Sequence, residues 1–355
     1  MIRVLITEDS ILFGKFMKEI LESDPEIQVV GWAKNGKECI EQLKPLKPDV
    51  ITMDIHMPVM DGLETTEYIM LNIPTSILIV SSLVKSEMGI SFKALKSGAM
   101  DVIEKPKFIK DTPLEKIGET LIERVKTIAR VRPLKKYKRS RDVQQADKNV
   151  GRKSPFPKPL GKNSYGILVI GASTGGPPVL QTILKNIPPD YPFPIIITQH
   201  MASGFLKGFI EWLKTDCFFN VKTGKNNEIL TKGTVYLAPD NYHIGITQNR
   251  HIFLSNTPPI GGHRPSIDFM MESAASIYKD YCMGILLTGM GRDGAKGMLS
   301  IRKSGGYTIS QSEESCVIFG MPKAAIDIGA TTKVCSISNI SYEITHWDPQ
   351  QKRYN

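Results

Sequence analysis

The chain has 355 residues, 41% of them apolar and 23% charged, with a net charge of +9. That length suits two domains with separate cores, and the composition excludes a disordered or fibrous chain. No apolar run reaches the ~18 residues of a membrane span, and "MIRVLITEDS" lacks a signal core, so a cytoplasmic protein without membrane insertion is expected.

The basic charge is local. Residues 130–162 hold twelve Lys/Arg and two Asp, more than the whole net charge of +9, so the rest of the chain is near neutral. This stretch is rich in charge and proline and poor in branched apolar residues, so it cannot offset its ordering entropy by burial. It is read as a linker. The expected division is a first domain at 1–130, a linker at 131–163, a second domain at 164–345 and a tail at 346–355. Cys39, Cys217, Cys282, Cys316 and Cys335 never form a CxxC pair, which predicts free thiols rather than a disulfide or zinc framework.

Along the first domain, apolar runs alternate with amphipathic ones. "IRVLIT", "IQVVGWA", "PDVITMDI", "TSILIVSS" and "MDVIEKP" read as strands. Between and after them, "SILFGKFMKEILESD", "GKECIEQLKPL", "GLETTEYIML", "GISFKALKSGA" and "TPLEKIGETLIERVKTIAR" read as helices. Five βα units predict a parallel, doubly wound sheet. The second domain opens with the same rhythm, in "YGILVIG", "FPIIITQH" and "CMGILLTGM". Its middle, "GTVYLAPDNYHIGITQNRHIFLS", predicts antiparallel strands and a hairpin.

Open α/β sheets bind ligands at the C-terminal ends of their strands. In the first domain those ends carry Glu8, Asp9, Asp54, Ser81 and Lys105. Three converging carboxylates need a cation, and all-oxygen ligands suit Mg²⁺. Asp54 can attack a phosphoryl group, Lys105 can neutralise its charge, and Ser81 can donate to one of its oxygens.

The second domain carries "GASTGG" at residues 171–176. A phosphate loop needs Lys and Ser/Thr after its last glycine, but Pro177 and Pro178 stand there. The glycine spacing also fails the dinucleotide pattern. Residues 171–175 fit G-x-S-x-G, which raises a serine on a strand-to-helix turn. Ser173 is therefore the candidate nucleophile. His200 ends the next strand and can take its proton. Asp293, in "GRDG" after a third strand, "GILLTGM", can orient His200, and the Met290 N–H is a candidate oxyanion donor. The order Ser–His–Asp disfavours the α/β-hydrolase fold.

"TEDS", "MDIHMPVMDG", "VSS" and "EKP" together resemble the receiver domain of response regulators. That resemblance implies the flavodoxin-like sheet order 2-1-3-4-5, which the receiver CheY exemplifies. It also implies phosphorylation of Asp54 by a histidine kinase, Mg²⁺ on Asp9, Asp54 and Glu8, and a cis bond before Pro106. The Glu-Asp pair departs from the commoner Asp-Asp, and His56, two residues after Asp54, is unusual. "IGASTGG", "ITQHM", "HRPS", "LLTGMGRDGAKGM" and "SCVIFGMP" resemble the catalytic domain of the chemotaxis protein-glutamate methylesterase (CheB) family. The implied fold is a Rossmann-like doubly wound domain with an added antiparallel section. The implied activity is hydrolysis of glutamyl methyl esters, and deamidation of glutamines, on methyl-accepting chemotaxis receptors. Ser173, His200, Asp293 and Met290 match the family's catalytic positions, and Thr174, His263 and Arg264 are expected at the substrate cleft. No cofactor is expected for the esterase reaction and no specific nucleic-acid partner. Two rivals remain open at this point: a DNA-binding output using the basic linker, and a hydrolase of small esters.

Overall fold

The computed structural model describes residues 1–82, 85–107, 112–131 and 166–350. All but the first residue of the linker read at 131–163 therefore lies outside the described residues. The chain divides into two compact units.

In the N-terminal unit the strands are β1 (Ile2–Thr7), β2 (Ile27–Ala33), β3 (Val50–Met53), β4 (Ser76–Ser81) and β5 (Asp101–Glu104). They pair in parallel in the order β2-β1-β3-β4-β5. β3 and β4 are buried along their whole length, which is why their sequences run apolar without alternation. The helices are α1 (Ile11–Glu22), α2 (Gly36–Leu46), α3 (Gly62–Asn72), α4 (Lys85–Ser97) and α5 (Leu114–Ala129). Local chemistry sets several of their starts. Ser10 and Asn35 accept from backbone N–H groups of the first turns of α1 and α2. Asp61 and Glu64 form a reciprocal capping box on α3. One expectation is corrected. The bond before Pro106 is not cis; the cis X-Pro bond among the described residues joins Arg264 to Pro265. Either isomer of an X-Pro bond is cheap enough for its surroundings to select, and here Lys105 is held by its N–H on Ser81 O.

The C-terminal unit is built on seven strands: β6 (Ile167–Ala172), β7 (Ile195–Gln199), β8 (Asn220–Thr223), β9 (Thr234–Leu237), β12 (Cys282–Leu286), β13 (Tyr307–Gln311) and β14 (Lys333–Cys335). Their order is β14-β13-β12-β6-β7-β9-β8, with every pairing parallel. The antiparallel section is the hairpin of β10 (His243–Ile246) and β11 (Ile252–Ser255). β9 belongs instead to the parallel sheet. Its four residues are all buried, so it sits as an interior strand rather than a hairpin arm.

The helices of this unit are α6 (Gly176–Lys185), α7 (Leu206–Lys214), α8 (Ile267–Tyr278), α9 (Ala295–Lys303), α10 (Met321–Asp327) and α11 (Ile337–His346). One core cluster joins β6, β7 and β9 to the hairpin and to α8, α9 and α10, through Val169, Ile196, Tyr236, Ile244, Met271, Met298 and Ala325. Trp347 falls in the segment read as a tail, yet it is only 4% exposed and packs edge-on against Phe193. The chain leaves β6 toward β7 on one side and returns through β12 on the other. That reversal makes the edge at the ends of β6, β7 and β12 the natural ligand crevice. No described helix is long and apolar enough to cross a membrane.

Ile196 is fully buried in β7. Truncation by Ile196→Ala should cost about 2–5 kcal/mol, and Ile196→Val about 1 kcal/mol, through lost transfer energy and an unfilled cavity. Urea unfolding followed by tryptophan fluorescence checks both.

Candidate active site

Ser173 follows β6 at the head of a tight turn, and is 3% exposed. Its N–H donates to Thr288 O, and its carbonyl accepts from Gly176 N at 2.8 Å. Gly175 has φ +77°, in the left-handed region, and a Cβ there would lie 2.5 Å from Val317 Cβ. Backbone freedom and close approach both require glycine at that position. Pro177 lies in the first turn of α6, where a missing N–H costs nothing. The serine thus stands behind a helix N-terminus whose free N–H groups favour negative charge.

His200 follows β7. Ala172 and Gln199 are paired across β6 and β7, and His200 N donates to Ala172 O at 2.9 Å, so Ser173 and His200 leave neighbouring strands side by side. The His200 ring is held through Nε2, 2.9 Å from Asp293 Oδ2. Its Nδ1 is buried without a hydrogen-bond partner. The Ser–His hydrogen bond of a triad is therefore not formed in this state; catalytic hydrogen bonds are often loose without substrate. The nitrogen left for a serine proton is Nδ1, the reverse of the usage in chymotrypsin-like proteases.

Asp293 is buried at the start of α8. Its Oδ2 also accepts from Ile267 N at 2.7 Å, and its Oδ1 from Ser266 Oγ at 2.9 Å and Asp268 N at 3.0 Å. Ser266 in turn caps α8 through Phe269 N. Burial raises the cost of the Asp293 charge, but the His200 contact and these N–H donors outweigh it and hold its pKa below the usual value. The neighbouring Asp268 moves the other way: burial first, with the Asp293 charge adding to it, pushes its carboxyl up to about 6.

The residues expected at the cleft separate. The His263 ring stacks on the His200 ring, with centroids 4.1 Å apart and planes within 11°. Arg264 instead braces its own loop, donating through Nη1 to Asn256 O and Thr257 O. Thr174 is buried, and its carbonyl accepts from Thr288 Oγ1 at 3.0 Å. Met290 is 41% exposed in the turn after β12. That turn lies against the serine, since a Cβ on Gly289 would come within 2.7 Å of Ser173 Cβ.

Sequence reasoning missed three polar residues here. Ser266 binds Asp293, the buried His243 accepts from Ser266 N through Nδ1, and Gln199 bonds the carbonyls of Ser173 and His200. The serine of "HRPS" directly before an apolar helical run was a helix-cap signal that pointed to Ser266. Nothing local pointed to His243, which comes from the hairpin.

In the N-terminal unit, carboxylate oxygens of Glu8, Asp9 and Asp54 lie within 4.8 Å of one another, as a divalent-cation site requires. Lys105 Nζ sits 2.9 Å from both Glu8 Oε2 and Asp54 Oδ2. Burial is the main cause that raises the pKa of Glu8 and of Asp54, with Lys105 opposing it in both. Burial works against the Lys105 charge, yet the two carboxylates outweigh it and hold its pKa above the ordinary lysine value. Ser81 is fully buried, its Oγ donating to Ser82 O at 3.3 Å, and His56 is exposed.

Because the folded pKa of Asp293 is lowered, its contribution to stability is present above the ordinary carboxylate value near 3.8 and is lost as pH falls through the folded value. Asp293→Asn turns an N–H₂ group toward backbone donors and should cost about 1–3 kcal/mol at neutral pH. The deficit should shrink below pH 3.8, in urea titrations of both proteins.

Residues 168–344 match the family model for the CheB methylesterase, and residues 4–114 match that for the response regulator receiver domain. The protein-glutamate methylesterase/protein-glutamine glutaminase of Methanococcus maripaludis is 39% identical over 356 residues, covering 97% of each chain. The protein of the same name in Thermotoga maritima is 39% identical and covers 92% of this chain and 93% of its own. The crystal structure of the Thermotoga maritima CheB methylesterase catalytic domain is similar with a TM-score of 0.50 at 38% identity, covering 51% of this chain and 98% of that one. A receiver domain followed by a methylesterase domain, matched over nearly the full length, places this chain in the protein-glutamate methylesterase/protein-glutamine glutaminase (CheB) family.

Proposed function

We propose that the C-terminal unit hydrolyses glutamyl methyl esters, and deamidates glutamines, on methyl-accepting chemotaxis receptors in the cytoplasm. We further propose that a chemotaxis histidine kinase switches it on by phosphorylating Asp54. The division used here is a receiver at 1–130, a linker at 131–163 and a catalytic domain at 164–345. The observation that carries the catalytic reading is the His200 ring, anchored through Nε2 on Asp293 while Nδ1 stays buried and unpartnered, on the residue that follows the strand beside Ser173's own.

Ser173 Oγ attacks the ester carbonyl as its proton passes to His200 Nδ1. Asp293 stabilises the imidazolium, and the Met290 N–H receives the oxyanion. Collapse expels methanol, or ammonia from a glutamine, with the proton returned from His200. Water then adds to the glutamyl-enzyme, giving up its proton to His200, and the glutamate leaves as Ser173 is restored. His263, stacked on His200, supports the ring that carries the proton. Each step is written with protein groups and water alone.

Glu8, Asp9 and Asp54 would hold Mg²⁺ in the receiver. When bound, the ion neutralises the charge that phosphoryl oxygens bring. Asp54 accepts the phosphoryl group, and Lys105 exchanges its pairing with Asp54 for one of the new oxygens. Ser81, at the end of the adjacent strand, donates to another.

The near-neutral output unit, a parallel sheet with one antiparallel hairpin, does not favour the DNA-binding rival, which needs a groove-reading element. Ser173→Ala should fold normally and abolish methanol release from methylated receptor membranes, a loss of at least about 10³-fold for a missing nucleophile. A retained rate would sink the catalytic assignment. With acetyl phosphate as donor, Asp54→Asn or chelation of Mg²⁺ should remove the stimulation of methanol release while leaving the basal rate. Phosphate uptake followed on the same samples separates the switch from the esterase.

A further inference from the structure

We propose that Gln199 is a positioning residue for the esterase reaction: its carboxamide locks the backbone of Ser173 to that of His200. This assignment rests on the catalytic reading of those two residues.

The β6–β7 ladder ends one step before the reacting side chains. Ala172 and Gln199 are its last paired residues, and His200 N on Ala172 O is its last backbone bond. Beyond that point, no backbone ladder bond ties the carbonyl of Ser173 to that of His200. Gln199 takes over there. Its Nε2 donates to Ser173 O at 2.9 Å and to His200 O at 2.8 Å. The amide has two N–H bonds, and each goes to one of these carbonyls. The flipped amide would set Oε1 against two carbonyl oxygens, so its orientation is unambiguous. The peptide planes after Ser173 and after His200 are thereby fixed to one planar group. The side chains that must exchange a proton hang from the same two Cα atoms.

Two further observations mark the group as more than packing. Its Oε1 is buried without a partner, and an orphaned buried acceptor is destabilising. An apolar side chain of the same shape would escape that penalty but could not bridge the carbonyls. Space is also set aside for the amide at the start of α6. A Cβ on Gly176 would lie 2.2 Å from Gln199 Oε1 and 2.8 Å from Ala172 Cβ.

Because His200 Nδ1 and Ser173 Oγ are not hydrogen-bonded in this state, their approach depends on how accurately their backbones are held. A displacement of the order of 1 Å in such a pair costs about 10²-fold in rate. The substrate ester does not need this carboxamide to bind, so the loss belongs in kcat.

The test uses the full-length chain, phosphorylated with acetyl phosphate, with Gln199→Met (similar shape, no donors) and Gln199→Glu. Methanol release from methylated receptor membranes yields kcat and KM. Labelling by a fluorophosphonate reports serine reactivity without the receptor, and thermal unfolding reports the fold. Expected for Gln199→Met is a kcat lowered about 10- to 100-fold, labelling slowed by the same factor, KM within about twofold and an unfolding temperature close to the parent's. A folded Gln199→Met with an unchanged kcat, or with a loss confined to KM, overturns the assignment. If Gln199→Met does not fold, Gln199→Glu decides on the same criteria. Collapse of both variants also overturns it, since the carboxamide would then serve the fold alone. Ser173→Ala runs alongside. If it keeps methanol release and labelling, the catalytic reading itself fails. A rate that needs Ser173 but ignores Gln199 sinks only the positioning role.

Discussion

One buried carboxylate organises the catalytic unit. Asp293 accepts from His200, from Ser266 and from two backbone N–H groups at the start of α8. An unpaired charge at that depth would be costly, whereas one that satisfies a helix N-terminus is stabilised by the dipole and by four donors. The same carboxylate that caps the start of α8 also aims the His200 ring. Fold and site therefore share one interaction, and the site cannot drift without loosening the helix. Gly171 and Gly294 serve this arrangement: a Cβ on either would meet Ile267 at the helix start, at 2.3 and 2.7 Å.

The receiver solves the opposite problem. There three carboxylates converge with a single lysine, and burial raises the pKa of both Glu8 and Asp54. Converging carboxylates of this kind favour a cation that offsets their charge. Asp293 takes four donors, whereas Asp54 takes Lys105 Nζ and the Ile55 N–H beside two other carboxylates. That difference suits Asp293 to a fixed strut and fits the phospho-acceptor role proposed for Asp54. Both lie at the C-terminal edge of a parallel sheet, because there strands end, helices begin and loops can gather side chains from several elements.

Much of this was legible in the chain. Period and turn chemistry located β1, β2 and α2 residue for residue, and the strand-end rule collected Glu8, Asp9, Asp54 and Lys105 at one site. The juxtaposition of Ser173, His200 and Asp293 also follows from strand ends alone. Three features did not follow. β9 reads as a hairpin arm because its apolar run is short, but burial on both faces puts it inside the parallel sheet. Trp347 lies in a polar-looking tail, and its burial depends on Phe193, more than 150 residues away in the chain. Arg264 sits beside His263 in sequence yet turns to brace its own loop.

The sequence by itself determined the parallel architecture and the residue types delivered to each sheet edge, since hydrophobic period and turn residues are local properties. Only the tertiary structure decided which ring nitrogen of His200 meets Asp293, that His263 stacks on that ring, and that Gln199 bridges two carbonyls on adjacent strands. These depend on distances and directions between segments far apart in the chain. A one-dimensional pattern can say which side chains arrive at an edge, but hydrogen-bond geometry among them is settled only when strands, turns and helix starts are packed together.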